Sequence, residues 1–255
     1  MKSWIYRNLL PPLLVRALTR GQRRRDELER FRALYGRFAG PGDLCFDIGA
    51  NLGNRTRCFR AIGCRVIAVE PQSRCLKQLR REFGSDDGVV IEAAAAGASP
   101  GKATLRTSPV HVLSTISPEF VERTQKSGRF AAVSWSGQEE VEVTTLDALI
   151  AKHGEPRFVK IDVEGFESQV LAGLSRPLPA FSFEWTPEIP ENTVGCITRL
   201  QSLGRYEFNY SWGESMRLAR AQWLTPEGMV RIVEEFAAEV QGFGDIYARL
   251  AGPEP

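Results

Sequence analysis

Residues Leu44–Asn54 read LCFDIGANLGN, and what this stretch builds decides the fold. A short apolar run suited to a buried strand reaches an acid, Asp47, and then passes through Gly49, Asn51 and Gly53. All three tolerate positive φ or a close backbone approach. A turn that only reversed the chain would need one such residue. Three of them ahead of a helix set main-chain N–H groups around a bound ligand at that helix's N-terminus.

On either side of the turn, strands and helices alternate. Leu44–Ile48 and Cys64–Glu70 read as strands, with helices over Leu52–Ile62 and Ser73–Phe83. Further strands are expected at Val89–Ala93, Val141–Thr145, Arg157–Val163 and Ala180–Trp185, with helices at Leu146–Lys152 and Glu164–Leu174. A helix over Ile197–Leu203, a strand at Arg205–Tyr210, a helix over Pro226–Val240 and a last strand at Phe243–Leu250 complete the chain. Thr225 is the expected N-cap of that last helix, with Pro226 at its first position. Such alternation predicts a doubly wound α/β sheet of seven strands, with ligands at the strand carboxyl ends. The segment Ser108–Gly137 shows no clean period, and at that length it reads as a functional loop or lid.

Residues 1–40 form a separate helical cap in this reading. Pro11 and Pro12 break its first segment, and Asp26–Phe38 places Leu28, Phe31, Leu34, Tyr35 and Phe38 on one helical face. The turn Ala39–Asp43 (AGPGD) marks the boundary, leaving 41–255 as the main domain.

Charge and cysteine usage narrow the function classes. The 33 basic and 31 acidic residues nearly cancel, so nothing global draws the chain to nucleic acid. The basic residues do concentrate in Arg16–Arg32, and WIYRNLLPPLLVR (Trp4–Arg16) precedes them, so peripheral membrane contact through residues 1–38 is an expectation. No apolar run reaches the roughly 20 residues of a spanning helix. The five cysteines are odd in number and lack a CxxC pair, which points to free thiols in a reducing, cytoplasmic setting rather than to zinc. Nothing in the sequence sets the oligomeric state.

Spacing then tests what sits in the glycine turn. The dinucleotide pattern G-x-G-x-x-G, counted from Gly49, fails at Asn51 and Asn54, and there is no G-x-x-x-x-G-K-[ST]. What remains is an acid at the end of the strand, which repels pyrophosphate and suits a ligand carrying an ammonium group. The second strand ends at Glu70, about 20 residues beyond the turn, where an acid takes both hydroxyls of a ribose. A nucleoside with an amino-acid tail and no phosphate satisfies both, and S-adenosylmethionine is such a molecule. Asp47 and the turn would face its methionyl end and Glu70 its ribose.

The motifs FDIGANLGN (Phe46–Asn54), VEP (Val69–Pro71), TLDAL (Thr145–Leu149) and VKIDVEGFE (Val159–Glu167) together resemble the FkbM family of S-adenosylmethionine-dependent methyltransferases. The resemblance covers about Leu44–Leu174, and IEAAAAGASPG (Ile91–Gly101) departs from it, with Ser99 where the family usually carries an acid. It implies a Rossmann-like seven-stranded methyltransferase sheet, mostly parallel with an antiparallel last strand. It also implies a hydroxyl oxygen as acceptor, on a small molecule or glycan precursor. The expected cofactor-binding residues are Asp47, Gly49, Asn51, Gly53, Glu70 and Asp162. Glu92 is left without an assigned adenine contact.

Methyl transfer from a sulfonium needs alignment and removal of a proton from a poor nucleophile. Alternation along the strand puts Lys160, Asp162 and Glu164 on one side if the strand runs that far. Glu184 ends the next strand, and neighbouring strands lie about 4.8 Å apart. Asp162, Glu184 and Glu164 are therefore the catalytic candidates. Crowding raises the pKa of such carboxylates, so one serves as general base, or two hold Mg²⁺ with water. The metal-free base is favoured, with no metal ligands assigned. Of the two histidines, His153 reads as a helix C-terminal cap and His111 as a lid residue near substrate. Trp135, Trp185 and Trp212 are candidate cleft aromatics, Trp185 foremost because it borders Glu184. The rival readings are an NAD-dependent oxidoreductase and a non-catalytic membrane-surface protein.

Overall fold

A computed structural model describes residues 28–128, 133–238 and 242–252 of the chain. Expectations for residues 1–27, including the Pro11–Pro12 break and the membrane contact, lie outside the described residues. So does the end of the helix expected to reach Val240.

The strands are β1 (Leu44–Ile48), β2 (Arg65–Val69), β3 (Val89–Glu92), β4 (Ala95–Ala96), β5 (Gly101–Thr107), β6 (Gly137–Thr144), β7 (Phe158–Ile161), β8 (Ala180–Trp185), β9 (Tyr206–Trp212) and β10 (Gly244–Leu250). Seven of them form one sheet in the order β3-β2-β1-β7-β8-β10-β9. β1, β2, β3, β7 and β8 run parallel, and β10 is antiparallel to both of its neighbours. This is the predicted sheet, with its last strand slotted in reverse between β8 and β9.

Alternation along each strand feeds two cores. Leu44, Phe46 and Ile48 of β1 join Val159, Ile161, Phe181 and Phe183 beneath the helices Leu146–His153, Glu167–Ala172, Pro190–Leu203 and Pro226–Ala238. Cys45, Phe158 and Tyr247 point the other way and meet Phe31, Leu34, Tyr35 and Phe38 from residues 28–39, together with Phe59 of the helix Asn54–Ile62. The amphipathic face read at Phe31–Phe38 is thus spent on the flat face of the sheet, where Tyr35 is completely buried. Thr225 caps the helix Pro226–Ala238 as expected, its Oγ1 accepting from Gly228 N at 3.1 Å.

The segment 101–144 departs from its reading. β5 and β6 pair antiparallel along their whole length, with β4 parallel to β6, in a second small sheet. One side of this sheet is open to solvent and carries Lys102, Glu140 and Glu142, so the sequence lacks the apolar density of a buried strand. Within 108–137 lie a 3₁₀ turn at His111–Leu113 and a helix, Pro118–Ser127, whose N-cap Ser117 accepts from Phe120 N at 3.1 Å. No helix among the described residues is long and apolar enough to cross a membrane. All five cysteines are free and buried.

Gly49 has φ +82°, and a Cβ there would stand 1.8 Å from the carbonyl oxygen of Asp162. Gly49→Ala therefore forces strand ends apart, and we expect it to destabilise the fold by about 2–4 kcal/mol in urea titration. Gly101→Ala, where a Cβ meets nothing within 4 Å, is the control, and should stay within about 0.5 kcal/mol of wild type.

Candidate functional site

A cavity of about 410 Å³ opens at the carboxyl ends of β1, β2, β7 and β8. Its first lip is built by the glycine turn. Gly49 N and Ala50 N donate to Val69 O, and Asn51, at φ 50°, points its N–H at Glu70 Oε2 (2.8 Å). Gln72 N donates to the other oxygen, Oε1, at 2.7 Å. Two backbone donors fix the Glu70 carboxylate at the cavity wall. Burial still pushes the group up to about 7, against the lowering effect of those two bonds.

The second lip is acidic. β7 stops at Ile161, and Val163–Gly165 turns sharply, with Glu164 at φ 54° and Gly165 at φ 88°. The brace is Glu167, completely sequestered, whose Oε1 accepts from Val163 N (3.0 Å) and Gly165 N (3.3 Å), while Asn192 Nδ2 donates to Oε2. Asp162, Glu164 and Glu184 thereby bring one carboxylate oxygen each within 4.8 Å of one another. Burial, then Glu164, Asp162 and Glu167, push the Glu184 carboxyl well above the carboxylate range. Its Oε2 is sealed from solvent with no hydrogen-bond partner among the described residues. Lys160 is a buried ammonium, 2.7 Å from Asp245 Oδ1 and 3.2 Å from Asp162 Oδ2.

Gly49, Asn51, Glu70, Asp162, Glu164 and Glu184 all line the cavity. Asp47 and Gly53 do not. Asp47 is 1% exposed and takes the Thr56 hydroxyl at 2.5 Å, which ties β1 to the helix Asn54–Ile62. Its carboxyl is raised to about 6 by burial. Gly53 begins that helix, and a Cβ there would meet Leu79 and Phe83. Both residues were expected to touch the ligand, and both instead shape the turn from behind.

Other expectations are corrected in the same way. Trp185 points away from Glu184 into the core, stacked on Phe236 at 4.5 Å. Glu92 lies outside the cavity lining and pairs with Lys152 (2.7 Å) and with His153 Nε2 (2.6 Å), so His153 pairs with a carboxylate rather than capping its helix. His111 does line the cavity, with Nδ1 unpartnered among the described residues.

Sequence reading missed Arg55, which lines the cavity and reaches Glu214 with two contacts of 2.9 Å. Its position one residue inside a helix after the glycine turn was the available signal. It also missed the cover over the cavity. Gln72 Nε2 donates to Ser114 Oγ (3.0 Å), Thr115 Oγ1 donates to Glu164 O (2.7 Å), and Ala95, Leu105 and Ile116 supply a packed apolar wall. Nothing in the local sequence marks these long-range ties.

The donor set and shape suit S-adenosylmethionine. An apolar wall receives an aromatic base, the Glu70 carboxylate receives hydroxyls, and the acidic lip two strands away, about 10 Å, receives a cation. A parallel sheet with its ligand cavity across the first strand's glycine turn defines the class of nucleoside-binding doubly wound enzymes. Residues 47–214 match the model of the methyltransferase FkbM domain, well over half of the chain, and the protein belongs to that family. The matched model is that of a methyltransferase domain, which sets the NAD-dependent oxidoreductase reading aside.

Two curated relatives are similar in part. A hexuronic acid methyltransferase of Haloferax volcanii is 27% identical over 146 residues, 57% of this chain and 55% of that protein. A carboxy-S-adenosyl-L-methionine synthase of Pseudomonas putida is 36% identical over 69 residues, 26% of this chain and 28% of that one. The chain thus spans little more than half of one relative and about a quarter of the other. Among solved structures, a precorrin-6y C5,15-methyltransferase from Geobacter metallireducens aligns with a TM-score of 0.45 at 11% identity, covering 89% of this chain and 87% of that one.

A ligand whose hydroxyls donate to Glu70 selects the ionised carboxylate. Since the free group is raised to about 7, binding below that pH must first remove a proton. Affinity for S-adenosylhomocysteine should therefore fall by about tenfold per pH unit below 7 and level off above it. Calorimetry between pH 5.5 and 8.5 measures this, and Glu70→Gln should be weak and flat across the range.

Proposed function

We propose that the protein transfers a methyl group to a hydroxyl oxygen on a sugar or other polyhydroxylated small molecule, with Glu184 as general base. The observation that carries this reading is the Glu184 carboxylate. It lies in the cavity within 4.8 Å of Asp162 and Glu164 and has one sealed, unpartnered oxygen. A carboxyl whose proton affinity is raised by burial and like charges is a stronger base once ionised. Asp162 is less suited, because Lys160 already occupies its Oδ2. The acidic lip suits an acceptor that presents an uncharged hydroxyl to Glu184. The hexuronic acid named for the archaeal relative supports a carbohydrate as the acceptor class.

S-adenosylmethionine supplies an electrophilic methyl group on a sulfonium. Glu70 holds the ribose hydroxyls in this reading. Arg55, whose Nε has no partner among the described residues, holds the carboxylate of the amino-acid tail. Asp162 offers its negative charge beside the sulfonium. Glu184 accepts the acceptor's proton, and the Ser114–Ile116 cover excludes water from the transfer.

A second reading is favoured by the same three carboxylates. Asp162, Glu164 and Glu184 form an all-oxygen set suited to Mg²⁺. Release of S-adenosylhomocysteine across a panel of sugars and glycan precursors identifies the acceptor. In the base mechanism, Glu184→Gln should lower kcat by a factor of about 10²–10⁴, with cofactor affinity little changed and no effect of EDTA on wild type. Loss of activity with EDTA and recovery with Mg²⁺ would move the assignment to the metal. Full activity of Glu184→Gln without metal would remove Glu184 from the chemistry.

A further inference from the structure

Asp245 lies on β10, beyond the residues that match the family, and yet it lies next to the reaction centre. β10 runs antiparallel to β8 with Asp245 directly opposite Glu184, which places both side chains on one face of the sheet. Asp245 is 4% exposed, and its Oδ1 accepts from Lys160 Nζ at 2.7 Å while Tyr247 OH donates to Oδ2 at 3.3 Å. Lys160 has no exposure at all and also bonds Asp162 Oδ2 at 3.2 Å and Ile161 O at 3.3 Å. One ammonium is thus shared by two carboxylates. Only one of the two, Asp162, faces the cavity.

The arrangement is uneconomical as a structural device. A buried lysine needs one counter-charge, and a second carboxylate adds a desolvation cost with little extra Coulombic return. It has a clear electrostatic consequence, however. With Asp162 alone, Lys160 would cancel the negative charge that Asp162 presents to the cavity. With Asp245 holding the ammonium from behind, the three groups carry a net charge of −1 at the carboxylate that borders the ligand, while the Arg55 guanidinium, which also acts on Asp245, has Glu214 as its own counter-charge.

We propose that Asp245 is a positioning residue for cofactor charge recognition: by engaging Lys160 from the far side, it leaves Asp162 with an uncompensated negative charge for the sulfonium. The proposal rests on the placement of the sulfonium beside Asp162 made above. It predicts a property that packing alone does not, namely a preference for the sulfonium of S-adenosylmethionine over the neutral thioether of S-adenosylhomocysteine.

The test is the ratio of the two dissociation constants, measured by calorimetry on the full chain. Asp245→Asn keeps shape and hydrogen bonding, neutralises the trio, and should weaken S-adenosylmethionine at least about tenfold more than S-adenosylhomocysteine, the size expected for one unit charge about 12 Å from the sulfonium at an effective dielectric near 20. Lys160→Met should move the ratio the opposite way, which decides the matter even if Asp245→Asn does not fold. The double variant Lys160→Met/Asp245→Asn removes both members of a buried pair, a change such sites tolerate, and should return the ratio to the wild-type value. An unchanged ratio in Asp245→Asn or in Lys160→Met, or a double variant as poor as Asp245→Asn, overturns the proposal. Asp162→Asn separates the two readings. If it leaves the ratio untouched, the sulfonium does not lie beside Asp162. If it lowers the ratio while Asp245→Asn does not, only the role of Asp245 falls.

Discussion

The contact on which the site depends is the approach of the Gly49 backbone to the Asp162 carbonyl, so close that a Cβ would have to stand 1.8 Å from the oxygen. Around it, Asp162 N donates to Ile48 O at 2.9 Å, and Gly49 N donates to Val69 O at 2.9 Å. The turn after β1 is thereby clamped between the ends of β2 and β7 by main-chain groups. The Glu70 lip and the Asp162 lip inherit their separation from that clamp. A ligand that spans them meets a frame set by backbone geometry, with little conformational entropy left to lose on binding.

The clamp also explains why charge can be buried in quantity here. In register, Asp47 lies beside Lys160, Lys160 beside Ser182, and Ser182 beside Tyr247. These side chains share one face of the sheet, and the helical segment 28–35 closes over it, with Tyr35 buried there. Asp47 turns inward to Thr56 while Lys160 turns to Asp245 and Asp162. Buried polar groups at the centre of a sheet cost stability unless partnered. Here most are partnered with one another, and the surplus negative charge emerges at the cavity.

The small second sheet has a distinct role. It carries Leu105 to the apolar wall, and its strand β6 brings Glu139 to Ser73 N at 3.0 Å, tying the sheet to the helix Ser73–Phe83. The bridge between Arg106 and Thr115 holds the cover segment against β5, and Trp135 Nε1 donates to Leu113 O at 2.6 Å. The cover over the cavity is therefore held in place by long-range contacts.

How much of this was legible follows from the range of the forces involved. Strand–helix alternation, the cap at Thr225, the glycine turn and the acids at strand ends are local in sequence, and each was readable from spacing and residue type. Asn51, Glu70, Asp162, Glu164 and Glu184 could thus be named from the chain alone. The direction in which a side chain leaves the end of a strand is not local. Asp47 and Gly53 belong to the same motif as Gly49, yet packing against Thr56, Leu79 and Phe83 turns them away from the cavity. Trp185 adjoins Glu184 in sequence, and the period of two sends it to the opposite face. Asp245 reads as one acid in a tail strand until the antiparallel insertion of β10 sets it opposite Glu184 and against Lys160. The sequence by itself determined the strands and helices of the seven-stranded sheet and which residue types crowd the strand ends. Only the tertiary structure decided which of those residues face the cavity, because strand order and the sharing of buried charge are set by contacts between segments as far apart as 160 and 245.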